Sequence, residues 1–256
     1  MTTRKLELFA LPDVPLVRPG DDLAAIIGAG LEAAGTGLEH GDVLVVAQKI
    51  VSKAEDRYVD LATVTPSAKA EELAEATDKD ARLVELILQE STEVVRYCPG
   101  VLIVAHRSGI VLANAGIDAS NVDQADDGER VLLLPIDAEA SCRRLRQDLG
   151  RRFAANIAVI VNDSVGRAWR NGTVGLAIGA DGVPALADLR GELDLFGRPL
   201  MVSQEGIADE LASAASLLQG QGAEGQPVVL ARGLNVTGDT NDATALLRPA
   251  EQDLFR

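Results

Sequence analysis

The sequence is poor in aromatic residues, with one tryptophan, two tyrosines and four phenylalanines among 256 residues. Its core must therefore be aliphatic, and the 47% hydrophobic content supplies enough Ala, Val, Leu and Ile for an ordinary globular chain. Cysteine is scarcer. Cys98 and Cys142 stand far apart with no C-x-x-C, which argues against a disulfide framework or a cysteine zinc site and leaves two buried or half-buried thiols. Basic charge is also in short supply: 24 Lys and Arg face 39 Asp and Glu, a net charge of −15. Such a surface disfavours nucleic acid and anionic membranes, so an anionic ligand would need a locally positive site or a metal ion. No apolar run approaches the ~18 residues of a membrane span, and the N-terminal run is too short for a signal peptide. The expectation is a soluble, cytoplasmic protein. No G-x-x-x-x-G-K-[ST] is present, which excludes a P-loop. The glycines of "GAGLEAAG" (Gly28–Gly35) fall late in a helical pattern, where they suit close packing better than a dinucleotide.

What is present reads as alternating strands and helices. "KLELFAL" (Lys5–Leu11) alternates as a strand does, and Leu23, Ile26, Ile27 and Leu31 recur at helical spacing after a cap at Asp21 or Asp22. Val43–Ala47 is a buried strand leading into a polar segment. Pro66 to Val95 is largely helical, with Ser67 as one cap and Asp78 or Asp80 as a second. "GVLIVAHRSGIVLANAG" is a hairpin joined at "RSG", and "ERVLLLPID" a strand or strand end. Ser141 opens a helix through Leu145 and Leu149. "FAANIAVIVND" is a strand, "ADELASAASLLQG" a helix ended by Gly220, and "PVVLARG" the last strand. The mixture predicts an α+β (mixed α/β) fold with one domain over residues 1–236. Residues 237–256 form a polar, peripheral tail or the start of a linker.

Four stretches carry residues suited to chemistry. In "NAGIDASNV" (Asn114–Val122), Asp118 offers a hard oxygen ligand for Mg²⁺ or Mn²⁺, or else a turn in which Asp and Asn bond their own backbone. In "NDSVGRAWRNG" (Asn162–Gly172), Asp163 stands at the carboxyl end of a strand, where ligands bind in parallel sheets. Ser164 adds a hydroxyl, Arg167 and Arg170 could grip phosphate or carboxylate, and glycines keep the loop open; the alternative is an irregular crossover with solvated arginines. "QKIVSK" places Lys49 and Lys53 after a buried strand, as solvated caps or phosphate ligands. "LLQGQGAEGQP" (Leu217–Pro227) ends a helix in a glycine loop where Gln221 and Glu224 could offer oxygen, or it is a plain connector. Glu205, Asp209 and Glu210 suit the start of a helix. His40 and His106 lack a nucleophile partner and read as non-catalytic.

Taken together, "LPDVPLVRPGDDL", "GDVLVVAQKIVSKAE", "LANAGIDASNV", "NDSVGRAWRNGTVGLAIG", "DLFGRPL" and "IADELASAASLLQGQGAEGQPVVLARG" resemble the coenzyme F420-0:L-glutamate ligase family, in order from about Leu11 to Gly233. The resemblance implies a CofE-like ligase fold and an intertwined homodimer. It implies a ligase that uses GTP to join L-glutamate to a deazaflavin precursor, through an acyl phosphate, and then extends a γ-linked tail. By the same resemblance, Leu11, Pro12, Asp13, Val14, Gln48, Lys49, Lys53, Asn121 and the loop Gln219, Gly220, Gly222, Ala223, Glu224, Gly225 and Gln226 contact GTP. Asp118, Asp163, Ser164 and Gln221 would hold two divalent ions, Mg²⁺ or Mn²⁺, with potassium a further candidate cofactor. Arg167 and Arg170 are expected to take the acceptor or glutamate carboxylates. In two-domain members a nitroreductase-like domain follows a segment like "RPAEQDLFR", so the chain reads either as a stand-alone ligase or as one half of a longer protein. A metal-dependent nucleotide hydrolase built on the same two aspartates, and a non-catalytic GTP-binding module, remain the alternatives.

Overall fold

The computed structural model describes residues 5–124, 129–234 and 240–254. The expected domain boundary at 236/237 lies outside the described residues. In chain order the elements are β1 (Glu7–Ala10), α1 (Leu23–Ala33), β2 (Val43–Ala47), α2 (Gln48–Ala54), β3 (Tyr58–Asp60), α3 (Ala68–Thr77), α4 (Ala81–Gln89), β4 (Ser91–Cys98), β5 (Val101–His106) and β6 (Val111–Ala113). There follow β7 (Arg130–Leu132), α5 (Ala138–Phe153), β8 (Ala158–Arg167), β9 (Arg170–Asp181), β10 (Ala187–Asp188), β11 (Gln204–Glu205), α6 (Ile207–Gln219) and β12 (Val228–Arg232). This is the α+β architecture that the sequence predicts.

The main sheet has the order β1-β12-β2-β8-β9, and only β2 and β8 run parallel. These two strands are continuous apolar runs because helices cover both faces. Leu44, Val46, Val159 and Val161 pack with α1 and α5, through Ile27, Leu31, Leu145 and Leu149. Val43, Val45, Ala158 and Ile160 pack with α6, through Leu211, Ala212 and Ala215. A second body joins α3 and α4 to the antiparallel sheet β4-β5-β6 and to the β3–β7 pair. The site lies where β2 and β8 end and the two bodies meet.

Several expectations need correction. The polar segment after β2 is the helix α2, because Ile50, Val51 and Ala54 bring one helical face onto the core. The helical stretch stops at Gln89, and Ser91–Cys98 pairs with β5 as a strand. Helix α5 begins at Ala138, not at Ser141. The Asp137 carboxylate caps Ala140 N at 2.9 Å, while the Ser141 hydroxyl is engaged by Glu55. Asp163 does not end a strand: β8 runs on to Arg167 and pairs with β9, so the expected loop is a two-stranded ribbon. The tail is not peripheral throughout, since Ala243 is buried and the Asn241 amide bonds both Leu186 N and Leu186 O at 2.9 Å. Cys142 is buried, but Cys98 is exposed.

A charged cluster ties the second body to the segment that follows α2. The Glu90 carboxylate receives Arg57 Nη2 at 2.9 Å and Arg107 Nη2 at 3.1 Å, with His106 Nε2 at 3.6 Å. Arg57 Nε also donates to Leu134 O at 2.8 Å. Burial pushes the Glu90 carboxyl up, but the adjacent His106 ring and the Arg57 and Arg107 charges outweigh it and hold the group below its usual range. A lowered folded pKa means stability that is present above the ordinary carboxylate range and is lost as pH falls through the folded value. Glu90→Ala leaves the half-buried Arg57 guanidinium without its carboxylate and is expected to cost roughly 2 kcal/mol. In urea unfolding that loss should shrink as the buffer is made acidic; a pH-independent loss would refute the electrostatic account.

Candidate active site

A cleft of about 1420 Å³ opens at the carboxyl ends of β2 and β8. Its walls are the 14–19 loop, the first turns of α2, the segment from Leu112 to Asp123, the ribbon base and the loop after α6. Local chemistry sets each wall. Helix α2 starts directly on the last residue of β2, which places Gln48, Lys49 and Lys53 over the mouth of the sheet. After β6 the backbone turns through three successive residues of positive φ, Asn114 (φ 54°), Ala115 (φ 53°) and Gly116 (φ 71°), and delivers Asp118 opposite Lys49. Helix α6 ends at Gln219, and Gly220 (φ 72°) turns the chain into the cleft, a conformation that favours glycine.

Asp118 is held by three bonds. Lys49 Nζ reaches Oδ2 at 2.6 Å, Ser120 N donates to Oδ1 at 2.8 Å, and the Ser120 hydroxyl donates to Oδ2. Burial raises the Asp118 carboxyl, yet Lys49 and Ser120 more than compensate and leave it below its usual range. Asp163 is shifted the other way. Burial pushes its carboxyl up and the Asp118 charge adds to the rise, against the weaker pull of Lys49, Ser164 N and Gln48. The two carboxylates, 45 residues apart in the chain, therefore face one space and sense each other. Lys53 Nζ donates to Asn121 O at 2.6 Å, and burial and the Lys49 charge lower its pKa.

The loop after α6 is stitched to β8. Gln219 Nε2 donates to Val45 O and Pro227 O, both at 3.3 Å, so its Oε1 must face Asn162, whose Nδ2 donates at 2.9 Å. Two residues on, Gln221 Nε2 donates to Ser164 Oγ at 2.9 Å. Asn121 Nδ2 reaches Gly222 O at 3.1 Å and closes the circuit.

Of the residues named from the sequence, Val14, Gln48, Lys49, Lys53, Asp118, Asn121, Asp163, Ser164, Gln219, Gly220, Gln221, Gly222, Ala223, Gly225 and Gln226 line this cleft. Leu11, Pro12, Asp13 and Glu224 do not. Leu11 is buried beside Gly30 of α1, and Asp13 is exposed with a left-handed backbone (φ 54°). The Glu224 carboxylate turns back to accept Gly222 N at 2.8 Å. Arg167 and Arg170 stand opposite each other at the ribbon tip, beyond the lining. Sequence reasoning gave no role to Ser120, Tyr58, Arg18, Arg130 or Asn162, all of which line the cleft. Ser120 was legible as the third member of an Asp-x-Ser turn; the others depend on contacts distant in sequence.

No group of three or more His, Cys, Asp and Glu is assembled as a metal site among the described residues. An ion here would rest on Asp118 and Asp163 with the neutral oxygens of Ser164 and Gln221. One or two carboxylates completed by water and phosphate oxygens is the habit of Mg²⁺ and Mn²⁺. Asp163 has no cationic ion-pair partner among the described residues, so the donor set fits such an ion.

Comparison with known proteins is consistent along nearly the whole chain. The family model described as F420-0:Gamma-glutamyl ligase matches residues 13–233. A coenzyme F420:L-glutamate ligase of Methanopyrus kandleri is 44% identical over 258 residues, covering 98% of this chain and 99% of the relative. Relatives of the same name from Methanothermobacter thermautotrophicus and Archaeoglobus fulgidus are 42% and 41% identical, each over 98% of this chain and 99% and 97% of their own. With the match running from the 14–19 loop through the ribbon to the last strand of the sheet, the chain belongs to the F420-0:gamma-glutamyl ligase family.

Proposed function

We propose that the protein joins L-glutamate to the deazaflavin precursor coenzyme F420-0 at the expense of GTP, and extends the product through γ-glutamyl links. The observation that carries this reading is the convergence, in one cleft, of Asp118, the cation-poor Asp163, Lys53 and the 219–226 loop. In the reaction a carboxylate oxygen of the acceptor attacks the γ-phosphorus of GTP. The bond to the β-phosphate oxygen breaks and GDP departs. The glutamate amine then attacks the acyl carbon, forms the amide and expels phosphate, which carries off the amine proton. Both partners in the first step are anions, so charge repulsion dominates its barrier.

Each residue answers part of that barrier. Lys53 and the backbone N–H groups of the 219–226 loop would hold the phosphates, with Gln219 fixing the loop against β8. Lys49 keeps Asp118 ionised and oriented. Asp118, Asp163, Ser164 and Gln221 would hold divalent ions, Mg²⁺ or Mn²⁺, whose positive charge would screen the phosphate oxygens when bound. Lys53→Ala removes one charge-assisted contact and should raise the KM for GTP about tenfold, with the KM for acceptor unchanged. An unchanged KM for GTP would move the phosphate site elsewhere.

The reading also includes a homodimer. Leu193, Leu195, Phe196, Met201 and Val202 cluster on one excursion between β9 and α6, and all are at least 68% exposed. Sedimentation velocity should give twice the monomer mass; a monomer at micromolar concentration removes this part.

The decisive experiment is mass spectrometry of coenzyme F420-0 incubated with protein, GTP, Mn²⁺ and L-glutamate. Addition of one or more glutamyl residues, with GDP formed in step, is expected. GTP turnover at the same rate without acceptor would make the protein a hydrolase. GTP binding without turnover would make it a binding module.

A further inference from the structure

The ribbon formed by β8 and β9 outruns the cleft it lines. Gly166 and Thr173 are cross-strand partners and both belong to the cleft wall. The next pair is Arg167 and Arg170, and the two residues between them, Ala168 and Trp169, make the turn. At about 3.3 Å per residue, the tip stands roughly 7 Å beyond the wall.

Trp169 is the only tryptophan of the chain. It is 87% exposed and has φ 64°. A turn position of that kind normally carries Gly, Asn or Asp, and a bulky side chain there is an outlier. Every other non-glycine residue with positive φ among the described residues is Asp, Asn or Ala. A protein short of aromatics thus places its one indole at a strained, solvent-facing position between two arginines. Arg167 Nη2 donates to Asn171 O at 3.1 Å, while its Nε is buried without a hydrogen-bond partner; Arg170 is exposed. Strain of this kind points to a role at a functional site.

The cleft, at about 1420 Å³, is larger than the ~300–1,000 Å³ of a typical small-molecule site. It has room for a nucleotide and for the reacting end of a second substrate, whose remainder must leave along a wall. The ribbon is a wall that ends in an aromatic face flanked by guanidinium groups.

We propose that the ribbon tip is the docking platform for the acceptor: the Trp169 indole stacks on its planar heteroaromatic ring, and Arg167 and Arg170 take its phosphate or carboxylate groups. This rests on the ligase reading and assigns the acceptor subsite within it. Stacking suits a planar ring of either face, and flanking cations suit one that carries negative charge.

With one tryptophan, intrinsic emission reports on the tip alone. Coenzyme F420-0 titrated into the protein without GTP should quench Trp169 emission saturably, after inner-filter correction against N-acetyltryptophanamide. GTP alone should not. Trp169→Gly, which suits the backbone, should unfold at or above the parent's temperature. It should raise the acceptor KM roughly tenfold or more and leave the GTP KM within twofold; Trp169→Phe should recover most of the loss. An acceptor KM unchanged in Trp169→Gly, while the parent glutamylates coenzyme F420-0, overturns this inference and leaves the ligase reading intact. A parent that neither glutamylates nor is quenched overturns both. Emission that shifts on dilution of the protein and ignores coenzyme F420-0 would give the tip to a second copy of the chain and also overturn the inference.

Discussion

Asp163→Asn is expected to lower glutamylation by roughly three orders of magnitude and yet to stabilise the ion-free protein at neutral pH. The activity loss follows from the removal of one of two carboxylates that would gather positive charge around the transferring phosphoryl group, where a single electrostatic contact carries 10²–10³ in rate. The stability gain follows from the direction of its pKa. Burial and the nearby Asp118 charge raise the Asp163 carboxyl. A raised folded pKa favours folding below the ordinary carboxylate range, and that benefit is lost as pH rises through the folded value. At pH 7 the ionised side chain is therefore a liability, which asparagine removes. The variant should melt above the parent at pH 7, and the difference should vanish in acid. Mn²⁺ at a hundredfold excess over its dissociation constant should stabilise the parent by about 2.7 kcal/mol and the variant far less. Equal Mn²⁺ stabilisation of the two proteins would place the ion elsewhere.

This pairing of effects shows why the site could be partly read from the sequence. Apolar runs at Val43–Val46 and Ala158–Val161 identify strands buried on both faces, and polar residues just after such runs fall at a sheet's carboxyl edge. Lys49, Lys53 and Asp163 were legible on that logic, Asp118 from the small-residue turn that carries it and Gln48 from the family resemblance, and all line the cleft. Failures arose where pairing across the fold overrides local pattern. Glycines at 166, 172 and 175 suggest a loop, but Asp163–Gly166 finds cross-strand partners at Thr173–Leu176 and stays extended. That extension carries Arg167 and Arg170 out of the cleft. Ser141 looks like a cap and Asp137 is the cap, because Glu55, 86 residues away, occupies the serine hydroxyl. The match of Asn162 to Gln219 joins residues 57 apart, and no local window contains both.

Gly175→Ala should be the most damaging single methyl group that can be added near the site. Gly175 lies on β9 where α6 crosses it, and a Cβ there would meet Ala212 O at 2.3 Å, Ala212 C at 2.7 Å and Asn162 Nδ2 at 3.0 Å. The first two are backbone atoms of a helix and cannot rotate aside. Helix and strand are also tied at this point, with Ser213 Oγ donating to Gly175 O at 2.8 Å and Gly175 N donating to Ser216 Oγ at 3.4 Å. Relief therefore requires α6 to move away from the sheet, with a packing cost of about 1–3 kcal/mol. The movement is carried to the end of the helix, where Gln219 and Gln221 hold Asn162 and Ser164. A displacement of ~1 Å in groups that position a reacting phosphate can cost about a hundredfold in rate. The expected result is a lower melting temperature together with a fall in kcat/KM for GTP larger than the stability loss explains, measured well below the melting transition. Gly37→Ala, where an added Cβ meets nothing within 4 Å, is the control and should leave both unchanged. A Gly175→Ala protein with lowered stability but the parent's kcat/KM would show that α6 shifts without disturbing the loop, and that the Asn162–Gln219 and Ser164–Gln221 bonds do not position the nucleotide.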